Sequence, residues 1–318
     1  GRMTQLDKTF PTLDCSLCIL TPLMAEVAVN ERIKLLTCSE VGKVEGVAGG
    51  FDVAIKVRPR YVDLRKCIGC GACSRICPVE APNDYDEGLS ARKAIYLNFP
   101  QAVPRVPVID PSICQHFKDP SCDLCSGKCP TKAIDFDQKE EEVVARVGVV
   151  IVATGFNIYD DLYEYGLTRS RNVITGMQLE RLVSPSGPTG GRIVRRSDGS
   201  EPKTVAIALC AGSRDENHLQ YCCVVGCMAG LKHAWYVKSH DPGARVYVLY
   251  NDLRAAGKGY EEFYNKLLEE GVHFIRGRVA EVTDWAIIPE EEGKLIIRVE
   301  DTMIGTVRRV PVDLVILS

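Results

Sequence analysis

The sequence has no apolar run approaching the roughly 20 residues that span a bilayer, and no signal-peptide h-region follows Gly1-Arg2-Met3. It has no basic run either. With 39 Lys and Arg against 42 Asp and Glu, it offers no bulk attraction for nucleic acid or an anionic membrane surface. Nothing in it resembles a hydrolytic triad. The glycine-rich G-x-G-x-x-G turn that would seat a dinucleotide after a first strand is also missing. These absences leave small molecules and other proteins as partners and predict a cytoplasmic location. The length, 318 residues, suits about two domains, and 46% apolar with 25% charged residues is ordinary for a globular chain.

What is present in excess is cysteine, fifteen in all. An odd count and tight C-x-x-C spacing favour thiolates bound to metal in a reducing, anaerobic compartment over a disulfide framework. Cys67, Cys70, Cys73 and Cys77 follow the bacterial ferredoxin spacing and end in Cys-Pro. Cys114, Cys122, Cys125 and Cys129 repeat it with a stretched first gap. In such modules each run gives three thiolates to one [4Fe–4S] cube and its fourth cysteine to the other. Cys67, Cys70, Cys73 and Cys129 are therefore expected around one cluster, and Cys114, Cys122, Cys125 and Cys77 around its partner. A zinc module would carry two C-x-x-C pairs separated by a long gap instead. His116, inside the stretched gap, reads as a surface residue because eight cysteines already satisfy two cubes.

The rest of the chain reads as α/β. Ile33–Val57 suggests a β-hairpin around Gly46, Gly49 and Gly50, with Cys38 in its core. Val143–Ala153 is so continuously apolar that a strand buried on both faces is expected. After the loop at Ser184–Pro188, the pattern predicts strands at Thr204–Leu209 and Arg245–Tyr250. Helices are predicted at Leu219–His240 and Tyr260–Glu270, and further strands at Val272–Ile275, Arg278–Val282, Leu295–Val299 and Val307–Leu317. Such alternation means a parallel, doubly wound sheet. Cys210 would end its first strand, with Cys222, Cys223 and Cys227 on the next helix and Cys223 and Cys227 on one helical face. A third [4Fe–4S] cluster in the place of a nicotinamide cofactor is the economical reading; unligated buried thiols are the alternative. Cys15 and Cys18 form an isolated C-x-x-C, open to redox use, ligation or simple burial.

Several segments occur in one order: Gly1-Arg2-Met3-Thr4-Gln5-Leu6-Asp7-Lys8-Thr9-Phe10-Pro11-Thr12, Asp14-Cys15-Ser16-Leu17-Cys18, Ile151-Val152-Ala153-Thr154-Gly155-Phe156, Ser186-Gly187-Pro188-Thr189-Gly190-Gly191, Gly212-Ser213-Arg214-Asp215-Glu216 and Gly257-Lys258-Gly259-Tyr260-Glu261-Glu262-Phe263-Tyr264. Together they resemble the A subunit of heterodisulfide reductase. The resemblance implies a thioredoxin-reductase-like, FAD/NAD(P)-binding-like fold with an inserted two-cluster ferredoxin domain. The expected divisions are 1–60 and 139–190 for the FAD-binding domain, 61–138 for the insert and 191–318 for a second nucleotide-binding-like domain. It implies an oxidoreductase component of methanogenesis that relays electrons among FAD, the clusters and partner subunits, with flavin-based bifurcation in some members. Hydrogenase, formate dehydrogenase or ferredoxin would be donors or acceptors. The related alternatives are the A subunit of a quinone-interacting membrane-bound oxidoreductase of sulfate reducers and a pyridine-nucleotide-dependent flavin oxidoreductase.

The same resemblance implies that Arg2, Met3, Thr154 and Gly155 line the flavin and that Lys232 lies near its ring, where residue pattern alone reads a solvated lysine. It places a third cluster on residues matching Cys210, Cys222 and Cys227, with Gly226 where the fourth ligand is expected and Cys223 as an extra thiol. It also predicts that the family's chain continues beyond both ends of this one.

Overall fold

The computed structural model describes residues 1–318. Two compact units account for the chain: Ile19–Gly155, and Gly1–Cys18 together with Phe156–Ser318.

Helix α1 (Ser16–Val29) starts at the end of the Gly1–Cys18 segment and continues into the first unit, where the hairpin of β1 (Ser39–Val47) and β2 (Gly50–Val57) follows. Near the end of β1, Gly46 takes φ +117°, and a Cβ there would collide with the carbonyl oxygen of Gly50. The cysteine-rich stretch that follows is built from short pieces: α2 (Ala72–Ile76), β3 (Glu80–Pro82), β4 (Ala91–Lys93), β5 (Ile95–Tyr96), β6 (Val108–Ile109) and α3 (Leu124–Gly127). Val62, Ala94, Ile95, Val106, Ile109 and Ala133 form its small core together with Cys73 and Cys114. Ile95 and Ile109 are fully buried, each worth roughly 1.5–3 kcal/mol. A bridge between Val62 and Ile134 ties the start of the stretch to its end.

β7 (Glu141–Val147) then pairs antiparallel with β2, and the ladder stops at Phe51 opposite Val147. The long buried strand expected over Val143–Ala153 does not form. From Val149 to Thr154 the chain is irregular and exposed, with Ile151 at 88%. Apolar composition favours a central strand only where neighbours supply hydrogen bonds and cover both faces. Here β2 flanks one side alone. Cys38 also departs from expectation: it sits before β1 at φ +56°, only partly buried.

The second unit continues the chain with β8 (Val173–Thr175), α4 (Gly176–Val183), β9 (Thr204–Ala208), α5 (Gly226–His240), β10 (Arg245–Tyr250), α6 (Tyr260–Glu269), β11 (His273–Arg276), β12 (Val279–Thr283), β13 (Leu295–Asp301), β14 (Thr306–Val312) and β15 (Leu314–Leu317). Five of these strands form a wholly parallel sheet in the order β11-β10-β9-β15-β8, while β12, β13 and β14 form an antiparallel sheet. β9 is central, and Val205 through Ala208 have no exposed surface. The break between β14 and β15 falls at Asp313. Its carboxylate accepts the N–H groups of Lys203 and Thr204 at 2.9 and 2.8 Å, fixing the start of β9 beside β15. The direction of winding reverses between β9 and β15, and the crevice outside the carboxyl ends of such strands is where α/β sheets bind ligands.

Candidate functional site

Eight cysteines of the first unit line two cavities. Cys67, Cys70, Cys73 and Cys129 line one, with Val62, Ala133 and Ile134 as apolar wall. Cys77, Cys114, Cys122 and Cys125 line the other, with Ile95, Ile109 and Phe136. Each cavity thus takes three thiols from one run and one from the other. No three Cys, His, Asp or Glu side chains converge on a point that would hold a single metal ion. A four-iron cube instead needs thiols spread around a space, one per iron, which is how these donors are arranged.

Burial pushes a thiol up in each setting, Cys73 in the first cavity as well as Cys114 and Cys125 in the second. Around the first cavity, Gly69 N–H donates to the sulfur of Cys67 at 3.4 Å and Ala133 N–H to that of Cys129 at 3.2 Å. For Cys129, burial favours the neutral thiol, but amide donors from Ala133 and Thr131 and the Thr131 hydroxyl outweigh it and lower the pKa. Around the second, burial pushes Cys114 up and Cys125 up to about 12, with neighbouring thiols adding to the effect. Ligand binding there must release protons as thiols become thiolates. His116 is not a plain surface residue. It stacks on Phe136 with centroids 3.6 Å apart, meets the carbonyl of Cys122 at 2.9 Å and lines the second cavity.

Four further cysteines gather at the carboxyl end of β9, beside Ser318 at the end of β15. Leu209 and Cys210 follow β9 directly, and Cys210 takes φ +58°. The expected helix over Leu219–His240 begins only at Gly226. Upstream, Leu219 N–H is committed to Gly212 O, Arg214 N–H reaches Tyr221 O, and Val224 sits at φ +68°, which a right-handed helix excludes. Cys222 and Cys223 therefore belong to a loop, and the shared helical face expected for Cys223 and Cys227 does not exist. The loop nevertheless brings the thiols together: Cys210 is within electrostatic reach of Cys227 and Cys223, and Cys227 of Cys223 and Cys222. Cys223 takes over capping of α5, its sulfur accepting Gly226 N–H at 3.3 Å. A Cβ on residue 226 would stand 2.8 Å from that sulfur, so Cys223 in this position requires glycine at 226.

Thiols and Cys210 in a left-handed conformation thus stand where a dinucleotide's pyrophosphate would need open glycine backbone. Anaerobic calorimetry with NADH and NADPH is expected to register no saturable binding; a saturating isotherm would contradict this.

The residues assigned to flavin are divided. Arg2 and Met3 lie in the second unit, in a single turn over Arg2–Gln5 where the Arg2 guanidinium covers the Phe156 ring and donates to Phe156 O at 3.2 Å. Thr154 and Gly155 belong to the first unit, exposed in its irregular segment. That segment is no strand and offers no strand-to-helix turn for a phosphate.

Lys232 is neither solvated nor available. Its side chain is 3% exposed, pairs with Glu180 Oε1 at 2.8 Å and donates to Lys8 O at 2.6 Å. Glu180 also meets His233 Nε2 at 2.9 Å, the Tyr236 hydroxyl at 3.1 Å and Asp7 N–H at 3.0 Å, while Lys8 N–H donates to Tyr236 at 3.0 Å. This buried network fastens the N-terminal segment to α4 and α5. No local pattern in the sequence signals it, because its members come from three segments far apart in the chain.

The 4Fe-4S binding domain family matches residues 60–83. The iron-sulfur A subunit of the CoB--CoM heterodisulfide reductase of Methanocaldococcus jannaschii is 48% identical over 323 residues, covering all of this chain and 48% of that protein. The A subunit of the H(2):CoB-CoM heterodisulfide,ferredoxin reductase of Methanothermobacter marburgensis is 47% identical over 322 residues, covering 100% and 47%. Lactococcus lactis thioredoxin reductase overlaps 70% of this chain and 63% of its own, at 13% identity and a TM-score of 0.31, too slight a likeness to bear on the fold. The chain spans about half the length of the curated relatives it matches. With nearly half of its residues identical along its whole length, it is closely similar to about half the length of these heterodisulfide reductase A subunits.

Proposed function

We propose that this chain is the cluster-bearing part of an electron-transferring subunit of heterodisulfide reductase type, holding two [4Fe–4S] clusters in its first unit and a third at the end of β9. The observation that carries the reading is the lining of each first-unit cavity by four thiols drawn from both cysteine runs. When bound, such a cluster takes up and gives back one electron at a time. The chain's own part is to hold the thiolates, direct the Gly69 and Ala133 N–H groups at negative sulfur, and keep water away with Val62, Ile134, Ile95, Ile109 and Phe136. Cys210, Cys222, Cys223 and Cys227 would hold the third cluster. Other subunits of the complex would be its partners, with ferredoxin, hydrogenase or formate dehydrogenase exchanging electrons with it.

Cys77→Ser and Cys129→Ser test the assignment. Each is expected to disturb the cluster of the opposite run, so that EPR of the anaerobic, reduced variants alters one signal in each, and a different one. If each substitution affects only the cluster of its own run, the crossed arrangement is wrong.

A further inference from the structure

We infer that Cys15 and Cys18 form a two-electron thiol–disulfide exchange centre, separate from the cluster cysteines, that is reduced by a dithiol. The two sulfurs are joined as a disulfide, the single one in a chain whose other thirteen cysteines are free. Cys15 immediately precedes α1 and Cys18 lies in its first turn, which carries no acidic residue. Cys18 N–H already donates to the Cys15 sulfur at 3.1 Å. Ser16 between them is fully buried, and its hydroxyl has no hydrogen-bond partner.

Access is unequal: Cys18 is exposed and Cys15 half-buried. Cys15 is also held rigidly. Lys8 pairs with it across an antiparallel bridge, Ser16 N–H donates to Asp7 O, and Asp7 and Lys8 are bolted to Glu180 and Tyr236. Asp7 lies within electrostatic reach of Lys8, Glu180, Lys232 and His240, of which Lys232 and Glu180 form a closed pair.

This asymmetry sets the order of bond changes. One thiolate of the incoming dithiol attacks the exposed Cys18 sulfur, forming a mixed disulfide, and the pair of electrons of the broken bond leaves with Cys15. The Cys15 thiolate is the better leaving group because Cys18 N–H, at the positive start of α1, donates to it. The second thiolate of the dithiol then attacks the substrate sulfur of the mixed disulfide and releases Cys18. The dithiol is oxidised to its cyclic disulfide, the protein disulfide becomes two thiols, and the two protons lost by the dithiol are matched by two taken up by Cys15 and Cys18.

The test uses the anaerobically purified protein, equilibrated in mixtures of reduced and oxidised dithiothreitol and read by differential alkylation and peptide mass spectrometry at Cys15 and Cys18. The reduced fraction should follow the ratio of the two forms of the reagent, reversibly and without loss of iron. In Cys15→Ser, Cys18 should form a mixed disulfide with oxidised glutathione about tenfold faster than Cys15 does in Cys18→Ser, because the Cys18 thiolate is the more exposed of the two and reaches the reagent more freely. A disulfide that resists dithiothreitol until the protein unfolds would overturn the inference. So would a pair that stays reduced under oxidised reagent, equal trapping rates in the two variants, or loss of about four irons from either variant, which would make the pair cluster ligands.

Discussion

Anaerobic reconstitution of Cys223→Ala should lower the iron content by up to about four per chain, from about twelve, or leave a labile three-iron centre, while the signals of the two ferredoxin-type clusters persist. The reason lies in the exchange at the start of α5. Cys223 Sγ occupies the space beside residue 226, where a side chain would otherwise project, and Cys210 and Cys227 are both within electrostatic reach of it. Gly226→Ala provides a second reading of the same geometry. Its Cβ must displace the Cys223 sulfur by a few tenths of an ångström or more, so this variant should also lose iron from the third site although it removes no thiol. If both variants keep full iron content and an unchanged spectrum, Cys223 is a bystander and another residue completes the site.

Glu180→Leu is expected to cost about 3–5 kcal/mol of stability, because it strands Lys232 in the interior without its counter-charge. Chemical denaturation followed by Trp235 fluorescence on α5 would measure it. The double variant Glu180→Leu/Lys232→Met should recover much of the loss, since no lone charge remains; a double variant as unstable as the single one would show that packing, not charge, is at stake. The pair also predicts a pH dependence. Burial pushes the Glu180 carboxyl up, but hydrogen bonds and charge from His233 and Lys232 more than offset this and hold it at about 2, below the ordinary 4.5. The folded state thus binds the proton less readily than the unfolded chain. Its extra stability is complete above pH 4.5 and is lost as pH falls toward 2. His233 acts in the same sense: burial lowers its pKa below 6.5, so the unfolded chain takes up a proton first and stability declines as pH drops below that value. Glu180→Gln should flatten the lower part of this decline.

The parts legible in the sequence are those whose chemistry is written in local spacing. The ferredoxin cysteines repeat at short fixed intervals, Gly46 and Gly49 mark a hairpin, and the alternation from Thr204 to Arg276 yields the parallel sheet found there. What is not legible depends on partners distant in sequence. Val149–Ala153 has the composition of a central strand but no neighbour to pair with. The helix expected from Leu219 is delayed because Leu219 and Tyr221 are bound up with Gly212, Ser213 and Arg214 instead. Glu180 and Lys232 look like solvent-facing charges until β8, α4 and α5 fold and close them off together.

The crossing of thiols between the two ferredoxin-type cavities bears on how such a protein is made. Neither run of cysteines can complete a site by itself, so a nascent chain that has emerged only as far as Cys77 possesses no competent site, whatever iron is at hand. Loading is then coupled. The first cluster to form draws Cys129 to Cys67 or Cys77 to Cys114, and in doing so closes the chain around the other cavity, lowering the entropy still to be lost there.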